Sequence, residues 1–307
     1  MPEPAGTGGG DVSPSTETVP GVDAHRGVLR GAAFRMLGTV ADADDAVQEA
    51  YVRWFRLDAA DRSAVASPGA WLMRAVGRIC LDMLGSARAR REIYVGEWLP
   101  EPVPSASPLA AIDLDPLARV IVGESVSTAL LLVLETLTPA ERVVFVLREV
   151  FEVPFSEIAE ATGRSAAACR QLAASARRHV GARAGGGVSR RRHDELVAAF
   201  AAASATGELA SLIRVLAPDV TLRADGGGRI SAARRPVHGA DHVARFLQGL
   251  ARKEPEAEYA PMVTGDGAGF VIRLGGAIAG VVTFATDADR VTDVWIMRNP
   301  DKLTLWS

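Results

Sequence analysis

Cysteine is nearly absent. Cys80 and Cys169 are the only two in 307 residues, too few for a disulfide framework, and each lies inside an apolar helical pattern as a small buried hydrophobe does. No metal site or cofactor is expected. Long hydrophobic runs are also missing: apolar stretches such as Ala129 to Leu134 are far short of the roughly 20 residues that a membrane-spanning helix needs. The first residues lack the basic start and apolar core of a signal peptide, so a cytoplasmic chain without membrane contact is expected. There is no overall excess of positive charge either. With a net charge of −3, any nucleic-acid-binding surface has to be local. A composition of 48% hydrophobic and 23% charged residues is that of globular domains, and the length allows two or three.

One local absence is informative. From Gly163 through His193 there is no acidic residue, but there are eight arginines: Arg164, Arg170, Arg177, Arg178, Arg183, Arg190, Arg191 and Arg192. Such a stretch attracts phosphate. The segment Pro154 to Val180 reads as a short amphipathic helix (Ser156, Ile158, Ala159), a turn at Thr162-Gly163-Arg164, and a second helix from Ser165. Gly163 supplies the positive φ that the turn needs, Ser165 suits the N-cap, and Cys169, Leu172 and Ala176 share an apolar face. Ala166, Ala167 and Ala168 keep the front of the second helix slim enough for a DNA major groove. This is a helix-turn-helix. The plainer alternative, a helical hairpin with a solvated arginine face, is weighed against the rest of the chain.

Residues 1–21, rich in Gly, Pro, Ser and Thr, read as a disordered tail. A helical module follows over 22–92. It holds a stripe of Leu29, Ala33, Met36 and Leu37, a helix with an acidic first turn (Asp42, Asp44, Asp45) and Val47, Ala50, Tyr51 and Trp54 on one face, a polar loop over Leu57 to Ser67, and a helix begun by Pro68. Prolines at 100, 102, 104 and 108 make 93–116 an extended linker, in which Trp98-Leu99 is an apolar pair that should dock on something. A second helical module spans 117–184, with Thr138, Pro139 and Glu141 spelling a capped helix start. After a flexible basic linker at 185–192 the pattern changes. Residues 193–307 alternate between two helices, a strand at Val220 to Asp225, a helix from Val237 to Arg252 and four further strands, which implies an α+β domain with a curved antiparallel sheet shaped like a cone around a pocket.

Two stretches resemble a known family over many positions. Arg35-Met-Leu-Gly-Thr-Val-Ala-Asp-Ala-Asp-Asp-Ala-Val-Gln-Glu-Ala-Tyr-Val-Arg-Trp54 is similar to region two, and Leu137-Thr-Pro-Ala-Glu-Arg through Val180 to region four, of the extracytoplasmic-function (ECF) sigma factors of bacterial RNA polymerase. Trp98-Leu-Pro-Glu-Pro, Asp225-Gly-Gly-Gly and Arg298-Asn-Pro-Asp-Lys-Leu resemble signatures of the SigJ-type subgroup, which carries a SnoaL-like C-terminal domain. The resemblance implies a multidomain protein: two all-α sigma modules and a SnoaL-like α+β cone. It implies core RNA polymerase and promoter DNA as partners and action as a monomer. By the same resemblance, Asp44, Asp45, Gln48, Glu49 and Trp54 grip the polymerase, where acids and amides beside an aromatic anchor suit a protein surface. Arg74 and Arg78 help to hold the melted minus-ten element. Arg164, Ser165, Ala167 and Arg170 approach base edges of the minus-thirty-five element, while Arg177 and Arg178 hold phosphates.

The C-terminal domain admits three readings. SnoaL-like folds include enzymes that pair an acid with a His, and Asp225, His238, Asp241 and His242 are the candidates here. Asp225, however, precedes three glycines, where Asp is a turn residue, so no catalytic residue is assigned. The second reading is a one-component DNA-binding regulator with a small molecule in the C-terminal pocket, which would have no use for the acidic helix. The third is preferred: regulation in cis, with Asp225, Gly226, Gly227 and Gly228 docking on Trp98, Leu99 and Pro100 and so setting the placement of the two DNA-binding modules.

Overall fold

The computed structural model describes residues 23–92, 94–110, 127–183 and 188–306. The expected tail, the linker end at 111–116, the helical start at 117–126 and the glycines at 185–187 lie outside these residues.

After a 3-10 turn at Asp23–His25, the first module has α1 (Arg26–Leu37), α2 (Val40–Arg56), α3 (Ala59–Ala64) and α4 (Pro68–Glu92). The loop expected at 57–67 thus contains a short helix, begun by Asp58, whose side chain accepts from the Asp61 amide. Gly38 ends α1 at φ +83, and Thr39 starts α2 by accepting from the Asp42 amide. The second module has α5 (Thr128–Glu135), α6 (Pro139–Phe145), which continues through a π turn at Val146–Val150, α7 (Phe155–Thr162) and α8 (Ala166–Arg183). Thr138 and Glu141 form the capping box.

The two helical modules share one core, a continuous apolar cluster reaching from Leu29 to Val180. Gly77 on α4 permits the approach, since a Cβ there would lie 3.0 Å from Cδ1 of Leu147 and 3.7 Å from Cβ of Ala161. Arg142 of α6 crosses the seam, donating to the Met36 carbonyl at 3.0 Å and pairing with Glu135. Burial lowers its pKa to about 10, still far above neutrality, so the charge stays.

The C-terminal domain has α9 (Arg190–Thr206), α10 (Leu209–Val215), α11 (Ala240–Lys253) and the strands β1 (Leu216–Asp225), β2 (Val237–His238), β3 (Glu258–Thr264), β4 (Gly267–Leu274), β5 (Ala277–Thr286) and β6 (Val291–Met297). These form one sheet in the order β2-β1-β6-β5-β4-β3. The expected antiparallel sheet is corrected at one pair, because β1 and β6 run parallel. The chain crosses over through α11 before the β3–β6 meander, and the meander's last strand returns beside β1 in the same direction; residue alternation gives no sign of that. Two boundaries also differ. Arg190, Arg191 and Arg192 belong to the first turn of α9, where Ser189 accepts from the Arg192 amide, and Val237 and His238 are strand because Gly239 adopts φ +86 before the helix.

One face of the sheet packs on α9, α10 and α11, with the Phe284 ring in contact with both Phe200 and Phe270. These side chains line the concave side of the sheet, where a pocket was expected. The other face carries Val271, Val281, Trp295 and Met297 and packs against Leu99 of the linker, Trp306, and Ala129 and Leu132 of α5. The sheet is thus the floor on which the linker and the second module rest.

Candidate nucleic-acid interface

The turn between α7 and α8 has Gly163 at φ +65, and Ser165 Oγ accepts from the Ala168 amide at 3.1 Å. Cys169, Ala173, Ala176 and Val180 are buried, with Leu172 only partly so. Arg164, Ser165, Ala167, Arg170, Arg177 and Arg178 are all exposed, along one helix and its entry turn. Arg170 lies over the Phe155 ring at 5.6 Å, which holds its guanidinium near the start of α7. Arg177 pairs with Glu149 at 2.8 Å, and this partner raises its pKa.

The α4 arginines face the other module. Arg74 meets Glu157 at 2.9 Å and Glu160 at 3.3 Å, both on α7. Arg78 lies beside the helix-turn-helix, its Nη1 3.5 Å from where a Cβ of Gly163 would be, and its nearest acid is Asp82 at 3.9 Å. The structure therefore brings the two expected DNA surfaces together and sets carboxylates against arginines that were expected to meet DNA.

On α2, Asp45 and Gln48 are exposed, Asp44 is held by Arg30, and Glu49 pairs with Arg53 at 2.9 Å. Trp54 requires a correction. It is 2% exposed, edge-on to Trp71 at 5.2 Å, and belongs to the core; its place in the stripe with Val47, Ala50 and Tyr51 already pointed inward. The exposed aromatic is Phe55, stacked on Tyr51 with Arg62 over its ring at 5.9 Å, a residue the sequence reading passed over because it stands outside the apolar stripe.

The linker is tied on both sides. Asp225 is fully buried and accepts from the Tyr94 hydroxyl at 2.6 Å, the Leu99 amide at 2.9 Å, the Gly227 amide at 2.9 Å and Lys302 Nζ at 2.8 Å. Burial and the Asp225 charge raise the Tyr94 pKa. Lys302 also donates to the Leu99 carbonyl at 2.6 Å and lies over Trp98 at 4.2 Å. The glycines are steric requirements: a Cβ on Gly226 would lie 2.1 Å from the Ile230 oxygen, and one on Gly227 2.5 Å from Asn299, while Gly228 abuts Val95. On the first module's side, Trp98 packs on Gly38, Pro100 is buried, the Glu101 amide donates to the Gly38 carbonyl at 2.9 Å, and the Glu101 carboxylate accepts from the Val40 amide at 2.8 Å.

A second acid holds the second module. Asp266, at the β3–β4 turn, accepts from the Thr128 amide and hydroxyl, each at 2.7 Å, at the start of α5. Loss of water outweighs these bonds and pushes its carboxyl up to about 6. Sequence reasoning missed Asp266, Lys302, Tyr94 and Glu101. Only Glu101 and Lys302, each inside a quoted signature, carried a signal.

The enzyme-like set does not assemble. Asp225 is sealed under the linker, whereas His238 and His242 are exposed and Asp241 is spent on Arg245 at 2.7 Å. Among the described residues, no group of three His, Cys, Asp or Glu could hold a metal, and no helix is long and apolar enough to cross a membrane. A groove of about 610 Å³ lies between the linker (Pro104, Ala106), α9 (Asp194, Val197) and the sheet edge (Met262, Phe270).

The chain matches the family models Sigma-70 region 2 over residues 22–90 and Sigma-70, region 4 over residues 127–180. It is 42% identical over 295 residues, 92% of each chain, to the ECF RNA polymerase sigma factor SigJ of Mycobacterium tuberculosis (strain ATCC 25618 / H37Rv). It is 35% identical over 286 residues to the probable ECF RNA polymerase sigma factor SigI of the same species (strain CDC 1551 / Oshkosh), covering 91% of this chain and 92% of that one. The crystal structure of Mycobacterium tuberculosis SigJ superposes with a TM-score of 0.69 at 36% identity, over 92% of this chain and 96% of that one.

Proposed function

Because the chain belongs to the ECF RNA polymerase sigma factors, which direct transcription initiation and are not enzymes, we propose that this structure is its closed, DNA-incompetent form, held shut in cis by the C-terminal domain. The observation that carries this reading is the engagement of Arg74 by Glu157 and Glu160. A residue expected on single-stranded minus-ten DNA is neutralised by the helix that leads into the minus-thirty-five reader, so closure blocks one element and fixes its distance from the other. Asp225 holds the linker, Asp266 holds the first described helix of region four, and both belong to one rigid sheet.

In the open form, Arg164, Ser165, Ala167 and Arg170 face bases, Arg177 and Arg178 face phosphates, and Arg74 and Arg78 are freed for the melted strand. Arg177 exchanges Glu149 for phosphate. Asp44, Asp45, Gln48 and Glu49 offer α2 to the polymerase, with Phe55 rather than Trp54 as the exposed aromatic. The protein acts as a monomer in this scheme, and any small-molecule effector meets the groove between the linker, α9 and the sheet edge.

The test is transcription in vitro with core polymerase, comparing the full chain, a truncation after Arg183, and Glu157→Lys with Glu160→Lys. Both altered forms are expected to initiate more strongly than the full chain. Stronger initiation by the full chain than by either would reverse the assignment, making this arrangement the active one.

A further inference from the structure

The C-terminal domain carries a local surplus of positive charge. Arg234 and Arg235, in the loop between β1 and β2, and Arg252 and Lys253, in the last turn of α11, are all exposed, and among the described residues none of them pairs with a carboxylate. Lys253 Nζ reaches Ser231 Oγ of the loop at 3.4 Å, which brings the last turn of α11 against the loop that carries Arg234 and Arg235. Two of the neighbouring acids are committed elsewhere, since Arg229 pairs with Asp301 at 2.7 Å and Arg298 meets both oxygens of Glu254 at 2.7 and 2.8 Å. This leaves the exposed Glu256 and Glu258 as the acids next along the chain. In a chain of net charge −3, four unneutralised cations on one rim are a concentration of charge that solubility does not require.

Position gives the surplus a direction. The Cα of Arg234 lies 3.9 Å from where a Cβ of Gly96 would be, and Gly228 abuts Val95, so the loop rests on the stretch that leaves α4. That helix carries Arg74 and Arg78, and its final turns hold Arg88, Arg90 and Arg91 in sequence. Tyr94 and Leu99 are bonded to Asp225, so the cationic loop is attached to region two through a buried contact and stays beside it when region four moves.

We propose that Arg234, Arg235, Arg252 and Lys253 form a phosphate-binding surface that holds promoter DNA backbone next to the segment read by region two. The inference rests on the sigma-factor reading. The side chains reach no base through a rigid recognition element, so they add affinity and register without sequence preference. Arg252 and Lys253 also complement the negative end of α11, an ordinary role for cations in a last turn. Arg234 and Arg235 have no such role, and they are the discriminating pair.

The experiment measures promoter binding by holoenzyme, assembled from core polymerase and the full chain, as a function of KCl concentration. Removing one phosphate-neutralising cation lowers the slope of log K against log salt by about 0.9, so Arg234→Ala with Arg235→Ala is expected to reduce it by about 1.8 with promoter preference unchanged. Arg234→Lys with Arg235→Lys should retain the slope, and adding Arg252→Ala and Lys253→Ala should lower it further. An unchanged slope in the double alanine variant overturns the proposal. So does weaker assembly with core polymerase at an unchanged slope, which would make the surface a contact for an acidic protein face. Failure of the wild-type holoenzyme to initiate at all would instead overturn the sigma-factor reading beneath it.

Discussion

Asp225→Asn is the sharpest perturbation of the closed form. The change is nearly isosteric but removes the charge that faces Lys302, and the Lys302 side chain is only 7% exposed. The amide oxygen can still accept from Leu99 or Tyr94, not from every donor, and its NH2 group faces a set made almost wholly of donors: Tyr94 hydroxyl, Leu99 amide, Gly227 amide and the ammonium. Breaking a buried pair by removing one partner costs about 3–5 kcal/mol, because the other charge is left uncompensated. Swinging Lys302 into water recovers much of this, but only by abandoning the Leu99 carbonyl and the Trp98 ring, which releases the linker. At about 1.4 kcal/mol per decade, the expected shift toward linker release is two to three decades. Hydrogen exchange at the Leu99 amide reads this directly, since its acceptor is Asp225 itself. Exchange should accelerate by at least a hundredfold while amides inside β5 and β6 keep their protection. Lys302→Met in the Asp225→Asn background should restore part of the protection by removing the stranded ammonium. Unchanged exchange at Leu99 in the single variant would refute the idea that this carboxylate fastens the linker.

Other outcomes are expected. Gly77→Leu should separate regions two and four, since its side chain must occupy the place of Leu147, and a longer label distance between α4 and α8 with helix content intact would register it. Arg177→Ala with Arg178→Ala should lower the salt slope of promoter binding across sequences, whereas Arg170→Ala should change base preference; an unchanged preference would mean that the helix presents another face. Closure should depend on pH. The closed form raises the Asp266 pKa from 3.8 to about 6, so it takes up a proton that the open form releases, and closing is favoured below 3.8 and weakened as pH rises through 6. In the same label-distance assay, Asp266→Asn should close more tightly at pH 7.5 and lose this dependence; wild-type opening on acidification would contradict it. His193, whose pKa burial lowers, is bonded to Thr286 and Ala268 within the C-terminal domain, and so acts on that domain's folding rather than on closure.

Local chemistry carried most of what could be read from residues alone. Thr138 and Glu141, Ser165, and Gly163 each announce a backbone need that neighbours a few positions away satisfy, so capped helices and the turn were legible. Trp98-Leu99 was legible as an apolar pair in a proline-rich stretch, and Asp225-Gly-Gly-Gly as a tight turn. Trp54 was misassigned by analogy, although its own periodicity placed it inside. What stayed hidden depended on distant partners. Arg74 looks equally suited to phosphate or to carboxylate until Glu157 is brought beside it, and Asp266-Gly looks like any hairpin turn until Thr128 arrives. The parallel pairing of β1 with β6 is hidden for the same reason, since each strand's alternation is blind to the direction of its neighbour.

The contacts that hold the closed form differ in kind, and this decides what can open it. The Arg74 pairs are partly exposed, so each contributes at most about 1 kcal/mol, and a DNA phosphate could replace them. The apolar seam beneath them has no such substitute in water or in DNA. Uncovering even Leu147 and Ile158, both fully buried, costs about 3–6 kcal/mol at about 1.5–3 kcal/mol for each side chain. Promoter DNA alone can therefore neutralise the rim but cannot part the modules, whereas a protein surface that covers the exposed apolar residues can. It follows that the full chain should bind duplex promoter weakly by itself and tightly only with core polymerase. A one-component regulator would bind the same duplex unaided, so electrophoretic mobility of labelled promoter with and without core separates the two. A stable, sequence-specific complex without polymerase would mean that the seam is far weaker than its burial indicates.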